Sequence, residues 1–505
     1  MSHSKRIAKN TMLLYFRMLI TMGVTLYTSR IILDVLGVQD YGIYSVVGGI
    51  TLIFSFVNNS MSTATLRFLT LEIGKDDKEK LAKTFSSALT VHILIAFIVL
   101  ILGETIGLWW LENKLVIAPE RMDVVRWIYQ LSLGSIMVTI TQVPYNSIII
   151  AHERMNIYAY VEILNVTLKL VVVYLLTIAN ADKLLMYAIF LLCVSIVVST
   201  VYKIYCVKNF AETKYKIGWN SEIIKPMLNF SGWNVLGTFS YAAKTQGVNV
   251  LLNLFVGVAA NAAFGIATQV QTAVQSFASS IITASNPQIV KHYGANEFDQ
   301  MNKLIIWTSK LSFLLVFVIS FPLITETHFI LQLWLKDVPD YAVAFSQLNL
   351  IAILLVAMFT ILSNAIYATG KLRSFSIISS ITYILVMPIS YFLLKAGYSA
   401  TVPFIVNILL LIVGYSNNLR IAKKNVPKFS IKFFIVHAVL TNLLTVLTAS
   451  AIPLLLHFYM GESFLRVVLV GFTCVFGTIV SAYFIAFDKE TRQKTVEMII
   501  NKIRK

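Results

Sequence analysis

The sequence predicts an all-α polytopic membrane protein of about 14 transmembrane helices, arranged as two parallel six-helix lobes plus two extra helices. Three observations predict it. Of 505 residues, 57% are hydrophobic and 13% charged, about half the charged share of an ordinary soluble domain. The apolar residues fall in segments of about 20, the length that carries a helix across a hydrocarbon core where unpaired backbone groups find no partner. The 41 Lys and Arg, against 24 Asp and Glu, cluster between these segments as in cytoplasmic membrane loops, which makes nucleic acid a poor partner.

The first segment, Thr11–Leu33, follows Lys5, Arg6 and Lys9, but it carries Arg17, is too long for a signal peptide and lacks a small-residue cleavage site. It is expected to stay as a span. The remaining spans are expected near Tyr41–Ser62, Thr84–Leu108, Val124–Ile150, Ile157–Ala179, Leu184–Val207, Phe230–Val256, Ala259–Ser280, Ile305–Ile324, Tyr341–Ala368, Phe375–Leu394, Val402–Asn418, Phe433–His457 and Phe464–Phe487. Cys193, Cys206 and Cys474 lie in or beside apolar runs without paired or metal-ligand spacing, so they read as small packing residues.

Positive residues are retained on the cytoplasmic side. With the N-terminus inside, inner loops and tails take 30 Lys and Arg, outer loops and span ends take 8, and Arg17, Lys169 and Lys244 stay in the membrane. Both termini are then cytoplasmic. A shift of 220 residues lays Gly37 and Val38 on Gly257 and Val258, Ser60 on Ser280, Thr63 and Ala64 on Thr283 and Ala284, Gly74 on Gly294, and Lys83 on Lys303. Read as a duplication, this divides the chain into an N-lobe with its linker at 1–222, a C-lobe at 223–425, and a last pair of spans with an amphipathic C-terminal segment at 426–505. An even span count per lobe makes the repeats parallel, with a substrate site expected between them near the midplane.

Ionisable groups at membrane depth are costly and face an interior or an aqueous cavity, so these positions carry most of the functional information. Arg17 shares a helix face with Thr21, Val24 and Thr28; it reads either as cavity lining or as an arginine snorkelling to the inner headgroups. Arg30 and Asp34 are four apart, the spacing of an ion pair. Tyr158, Glu162, Asn165 and Lys169 share one face of span five. Lys169 reads equally as a structural pair with a carboxylate on another helix or, through water, with Glu162, or as a contact for an anionic ligand. In span seven Asn234, Gly237, Tyr241, Lys244 and Val248 form one stripe, and Lys244 has no acid in its own helix to neutralise it. It invites an anion or an acid from another helix. Span eight adds Thr268, Gln271, Gln275 and Ser279, a face suited to hydroxyl-rich ligands or to helix–helix hydrogen bonds. Pro144 and the Asn286-Pro287 pair are expected to end or kink helices.

No catalytic set emerges. The seven histidines are scattered, and no Ser/His/Asp pattern, metal-ligand spacing or Gly-rich phosphate loop is present. The chain reads as a transporter without cofactor or metal, driven by an ion gradient, the membrane potential or substrate flux.

The outer turn Leu36-Gly37-Val38-Gln39-Asp40-Tyr41-Gly42-Ile43-Tyr44, with Leu66-Arg67-Phe68, Glu72-Ile73-Gly74-Lys75, Gln246-Gly247-Val248-Asn249 and Asn286-Pro287-Gln288-Ile289, resembles Wzx-type polysaccharide flippases. These O-antigen and capsule transporters belong to the multidrug/oligosaccharidyl-lipid/polysaccharide (MOP) exporter superfamily. The resemblance implies a MATE-like pair of six-helix bundles in the bacterial inner membrane that alternates access. It would turn undecaprenyl-diphosphate-linked oligosaccharides to the periplasmic leaflet, as a monomer working beside a glycan polymerase and its assembly complex. Arg17, Lys169 and Lys244 would then contact the anion, with Glu162, Asn165, Asn234, Tyr241, Gln271 and Gln275 as polar cavity lining. The arginine-rich cavity of related murein-precursor flippases is represented here by one arginine and two lysines, and fourteen spans exceed the twelve of many sugar flippases. Two alternatives stay open. A cation-coupled multidrug exporter would place carboxylates in the cavity, and a membrane glycan polymerase would need a sizeable outer loop, whereas those near Glu112–Asp123 and Glu326–Asp340 are short.

Overall fold

The computed structural model describes residues 3–114, 119–178, 182–216, 218–335 and 338–486, together with Arg492. The expected C-terminal amphipathic segment, 491–505, lies almost wholly outside them. The described chain is helical throughout: α1 His3–Gly74, α2 Lys78–Asn113, α3 Met122–Ala151, α4 Met155–Ile178, α5 Lys183–Asn209, α6 Ser221–Phe255, α7 Val258–Gly294, α8 Phe298–Thr325, α9 Thr327–Trp334, α10 Ala342–Thr369, α11 Arg373–Lys395, α12 Val402–Asn425, α13 Ile431–Tyr459 and α14 Phe464–Ala486.

Among the described residues ten helices are long and apolar enough to cross a membrane: α2 to α5, α8, and α10 to α14. The fourteen spans expected from sequence exceed this number, and the difference lies in α1, α6 and α7. In α6 and α7 the apolar runs are diluted by Asn, Gln, Ser, Thr, Gly and Lys. The two helices that fall short by apolarity, α6 and α7, are those that carry Lys244, Gln271 and Gln275.

Both ends of α1 sit on one side of its bundle. Arg17 meets Tyr158 at the start of α4, and Gly74 abuts Lys291, which pairs with Glu153 in the α3–α4 turn. Asp40 lies at the opposite end, where Arg121 bridges it to Asp182. The element therefore runs the length of its bundle twice.

The chain divides into two compact units, Met1–Thr238 with Val290–Asn296, and Phe239–Ile289 with Glu297–Lys505. In unit 1 a core of Phe85, Tyr145, Ile148, Val173, Leu176, Tyr202 and Cys206 joins α2, α3, α4 and α5. In unit 2 Val248, Leu252, Phe345, Val386 and Phe404 join α6, α10, α11 and α12. Helix starts repeat between the units. Lys78 and Phe298 are 220 residues apart, Met122 and Ala342 220, Met155 and Arg373 218, and Lys183 and Val402 219. Packing partners repeat as well: α3 against α5 and α4 against α5 in unit 1, α10 against α12 and α11 against α12 in unit 2.

The turns after α1 and α7 are built alike. Asp76 and Asn296 hold left-handed φ of 57° and 60°, a conformation that Asn and Asp tolerate better than other side chains. The bonds Lys75 N to Leu71 O and Asp76 N to Ile73 O recur as Ala295 N to Lys291 O and Asn296 N to Tyr293 O. Asp77 then caps α2 by accepting from Lys80 N at 2.9 Å.

Within unit 2 the last hairpin, α13–α14, is tied to the turn between α8 and α9 by one buried acid. Glu326, 1% exposed, accepts from Arg466 Nε at 2.9 Å and Nη2 at 2.6 Å, and its other oxygen lies 2.8 Å from His457 Nδ1. Arg466 also donates to Met460 O at 2.8 Å. Breaking a buried pair from one side strands the other charge. Glu326→Ala is accordingly expected to cost about 3–5 kcal/mol, read as a lowered unfolding temperature in detergent, while pairing Glu326→Met with Arg466→Met restores most of the loss.

At the end of unit 1 that holds Asp40, Asp182 caps α5 through Leu184 N at 3.1 Å and Leu185 N at 3.0 Å. Burial alone would raise the Asp182 carboxyl, but these N–H donors and the Arg121 guanidinium outweigh it and hold it below the ordinary aspartate value. A depressed carboxyl stabilises the fold above the ordinary range, near pH 4, and that stabilisation is lost as pH falls through its lower folded value. Asp182→Asn is expected to abolish this acid sensitivity, measured by amide-hydrogen exchange at the start of α5.

Candidate functional site

Two polar clusters stand at membrane depth, one in each unit. In unit 1 Arg17 of α1 donates to the Tyr158 hydroxyl at 3.0 Å, with the guanidinium carbon 4.9 Å from the ring centroid. Its Nε is buried without a partner. One turn further along α4, Glu162 accepts from the Tyr202 hydroxyl at 3.3 Å. Thr21 and Thr28 bond back to carbonyls of their own helix, leaving Arg17 as the polar feature of that stripe that reaches another element. Asn165 is half-buried and Lys169 exposed, and neither forms a hydrogen bond or ion pair among the described residues. Glu162 pairs with Tyr202, and no direct ion pair joins it to Lys169 among the described residues. The side chains of Arg30 and Asp34 lie outside the described residues.

In unit 2 Lys244 of α6 is the centre of a small cavity. Its ammonium donates to Asn407 Oδ1 of α12 at 3.2 Å and lies 4.7 Å from the Tyr241 ring centroid and 5.7 Å from that of Tyr383, positions of cation–π attraction. The two tyrosines meet edge to face at 5.4 Å. Thr268, Gln271 and Gln275 of α7, Asn349 of α10 and the Phe404 ring complete the wall. Helical spacing on α7 explains why these three polar residues converge, since positions three and four apart share a face. The Asn349 Nδ2 is buried without a partner, and Gln271 and Gln275 form no hydrogen bond among the described residues. No carboxylate lines the cavity, so its field is positive. Its volume of about 70 Å³ suits a few waters or one small polar group.

The structure thus gathers Tyr241, Lys244, Gln271 and Gln275. Asn234, ten residues before Lys244 and about 15 Å along the helix, is buried in unit 1 and takes no part in that cavity. Sequence reading missed Tyr202, Tyr383, Asn349 and Asn407. The last two had a signal, each an amide within a predominantly apolar span.

With this geometry in place, the comparisons with known proteins fall into line. Residues 7–293 match the family described as polysaccharide biosynthesis protein, and residues 235–392 match the MatE family. No curated protein matches the chain. Among solved structures, a MATE protein in its straight conformation aligns with a TM-score of 0.74 at 14% identity, over 83% of this chain and 96% of that one. An outward-facing multidrug resistance MATE family transporter of the MOP superfamily aligns at 0.70 and 13% identity, over 85% and 97%. A MOP superfamily transporter from Pyrococcus furiosus, described as having a binding pocket of reverse polarity that suggests a different function, aligns at 0.69 and 15%, over 83% and 97%. The likeness shows a shared fold, and the sequence match shows the family: the chain belongs to the polysaccharide biosynthesis protein family and is built on the MATE-like fold.

Proposed function

We propose that the chain is a flippase that moves undecaprenyl-diphosphate-linked oligosaccharide, an O-antigen, capsule or exopolysaccharide repeat unit, across the bacterial inner membrane by alternating access. Its fourteen crossings would be two in α1 and one each in α2 to α8 and α10 to α14. They would form an N-lobe at 1–222, a C-lobe at 223–425 and an added pair at 426–505, with both termini cytoplasmic.

The observation that carries the reading is the cavity around Lys244, lined by amides, hydroxyls and aromatic rings and by no carboxylate. A diphosphate leaving water needs cationic partners and a sugar needs polar walls. Lys244 and Arg17 would contact the anion, and Lys169, exposed and without a partner among the described residues, would be a third contact. Family membership supports a lipid-linked glycan as substrate. The runner-up, a cation-coupled multidrug exporter, draws on the shared fold and on Glu162, the acid of the unit 1 cluster. The sign of the unit 2 cavity opposes it.

Purified protein in proteoliposomes is expected to flip a labelled undecaprenyl-diphosphate oligosaccharide and to leave a cationic dye in place, with empty vesicles as the baseline. Gradient-driven dye export without glycolipid movement would overturn the flippase in favour of the exporter. A charge-assisted hydrogen bond is worth about 1.5–3 kcal/mol. Lys244→Ala is therefore expected to slow flipping by roughly tenfold to a hundredfold at unchanged membrane insertion, and undiminished flipping would remove Lys244 from the site.

A further inference from the structure

The Lys244 cavity is rich in donors and lined by no carboxylate to receive them. A lysine ammonium has three N–H groups, and Lys244 gives one to Asn407 Oδ1. Asn349 is only 7% exposed, and its Nδ2 is buried without a partner among the described residues. Burying an unpaired donor is costly, so this wall is shaped to meet an acceptor from outside the chain. Gln271 and Gln275 face the same space and can add amide donors. All of these residues belong to unit 2. Tyr241 beside them is 43% exposed, so the cavity wall reaches the surface of the unit at its ring.

Size and charge select among the anions that a lipid-linked glycan can carry. A diphosphate consists of two phosphoryl groups with several charged oxygens, more than a space of about 70 Å³ holding one ammonium can enclose and neutralise. A carboxylate is planar, carries one charge and accepts through two oxygens. One ammonium neutralises it, and the Asn349 amide with a glutamine amide can satisfy the oxygen lone pairs that remain. We propose that the Lys244 cavity recognises the carboxylate of an acidic sugar, a hexuronate in the repeat unit, with Asn349 as a specificity-determining residue. The sugar ring that bears the carboxylate would rest at the exposed part of the Tyr241 ring. A neutral hexose in its place offers no charge to the ammonium and leaves these buried donors poorly met, which is how such a site discriminates. The inference rests on the flippase reading and narrows the anion at Lys244 from the diphosphate to a part of the sugar.

The test uses the full-length protein in proteoliposomes and two labelled undecaprenyl-diphosphate disaccharides that differ only in the outer sugar, glucuronic acid in one and glucose in the other. At limiting concentration the acidic glycolipid is expected to flip about tenfold or more faster, the worth of one charge-assisted hydrogen bond. Lys244→Gln and Asn349→Leu, each alone, are expected to bring the ratio toward one. Equal rates in the parent protein overturn the inference and leave the flippase reading standing. A second measurement does not depend on flipping: titration calorimetry of the purified protein with free glucuronate, glucose, acetate or inorganic phosphate. Of the four, glucuronate is expected to bind, and Lys244→Gln to weaken it about tenfold or more. Phosphate binding that Lys244→Gln abolishes, with glucuronate silent, returns the cavity to the diphosphate. Acetate binding equal to that of glucuronate gives it to any small anion. Either result overturns the sugar carboxylate as its ligand. Should neither glycolipid move, the flippase reading fails and the titration alone decides what the cavity binds.

Discussion

Everything in this molecule depends on the absence of hydrogen-bonding partners in lipid. Backbone groups answer by forming helices, and the described chain contains little else. Side chains have no such general answer, so each polar group carried to membrane depth must find a specific partner inside the protein or stand in a hydrated space. Many threonines and a few serines solve this within their own helix by bonding to the carbonyl four residues back, as Thr90, Thr268 and Thr272 do. Among the side chains not met locally are those that build the Arg17 cluster, the Lys244 cavity and the Glu326–Arg466 tie.

The same constraint explains how far the sequence could be read. Apolar runs locate α2, α8 and α10 because burial in lipid writes itself into composition over some twenty consecutive residues. It writes less plainly into α6 and α7, whose polar faces serve the cavity, so the helices nearest the function are the ones whose apolar signal is weakest. Position on a single helix was legible: the spacing of Tyr241 to Lys244 and of Thr268, Gln271 and Gln275 put each group on one face, and both faces line one cavity. Which other helix closes the wall was not, because Asn407 is 163 residues from Lys244 in the chain and no local pattern encodes that meeting. Glu326 and Arg466 are 140 residues apart, and no local pattern encodes their meeting either.

The duplication was legible as a handful of identities and becomes structural in the turns. Asp76 and Asn296 share a left-handed backbone, although the two sequences there, Gly-Lys-Asp-Asp and Gly-Ala-Asn-Glu, agree only in the glycine. Backbone conformation is kept by any residue that tolerates it, whereas identity is needed only where a side chain of any size is excluded. Gly74 and Gly294 stand at such a place, which is why they survive as a matched pair while their neighbours differ.

The cations sort themselves by how their charge is met. Arg466 is 6% exposed and forked onto a buried carboxylate; Arg121 is shared between Asp40 and Asp182; Lys291 meets Glu153. In each case charge is cancelled by charge, and the pair fixes one element against another. Lys244 is met instead by an amide oxygen and two ring faces, and Arg17 by a phenol. Such partners hold a cation in position without neutralising it. A site for a passing anion needs that difference, because a carboxylate already in place would have to be displaced at the full cost of separating a buried pair, whereas an amide and an aromatic face leave the charge available to whatever anion arrives.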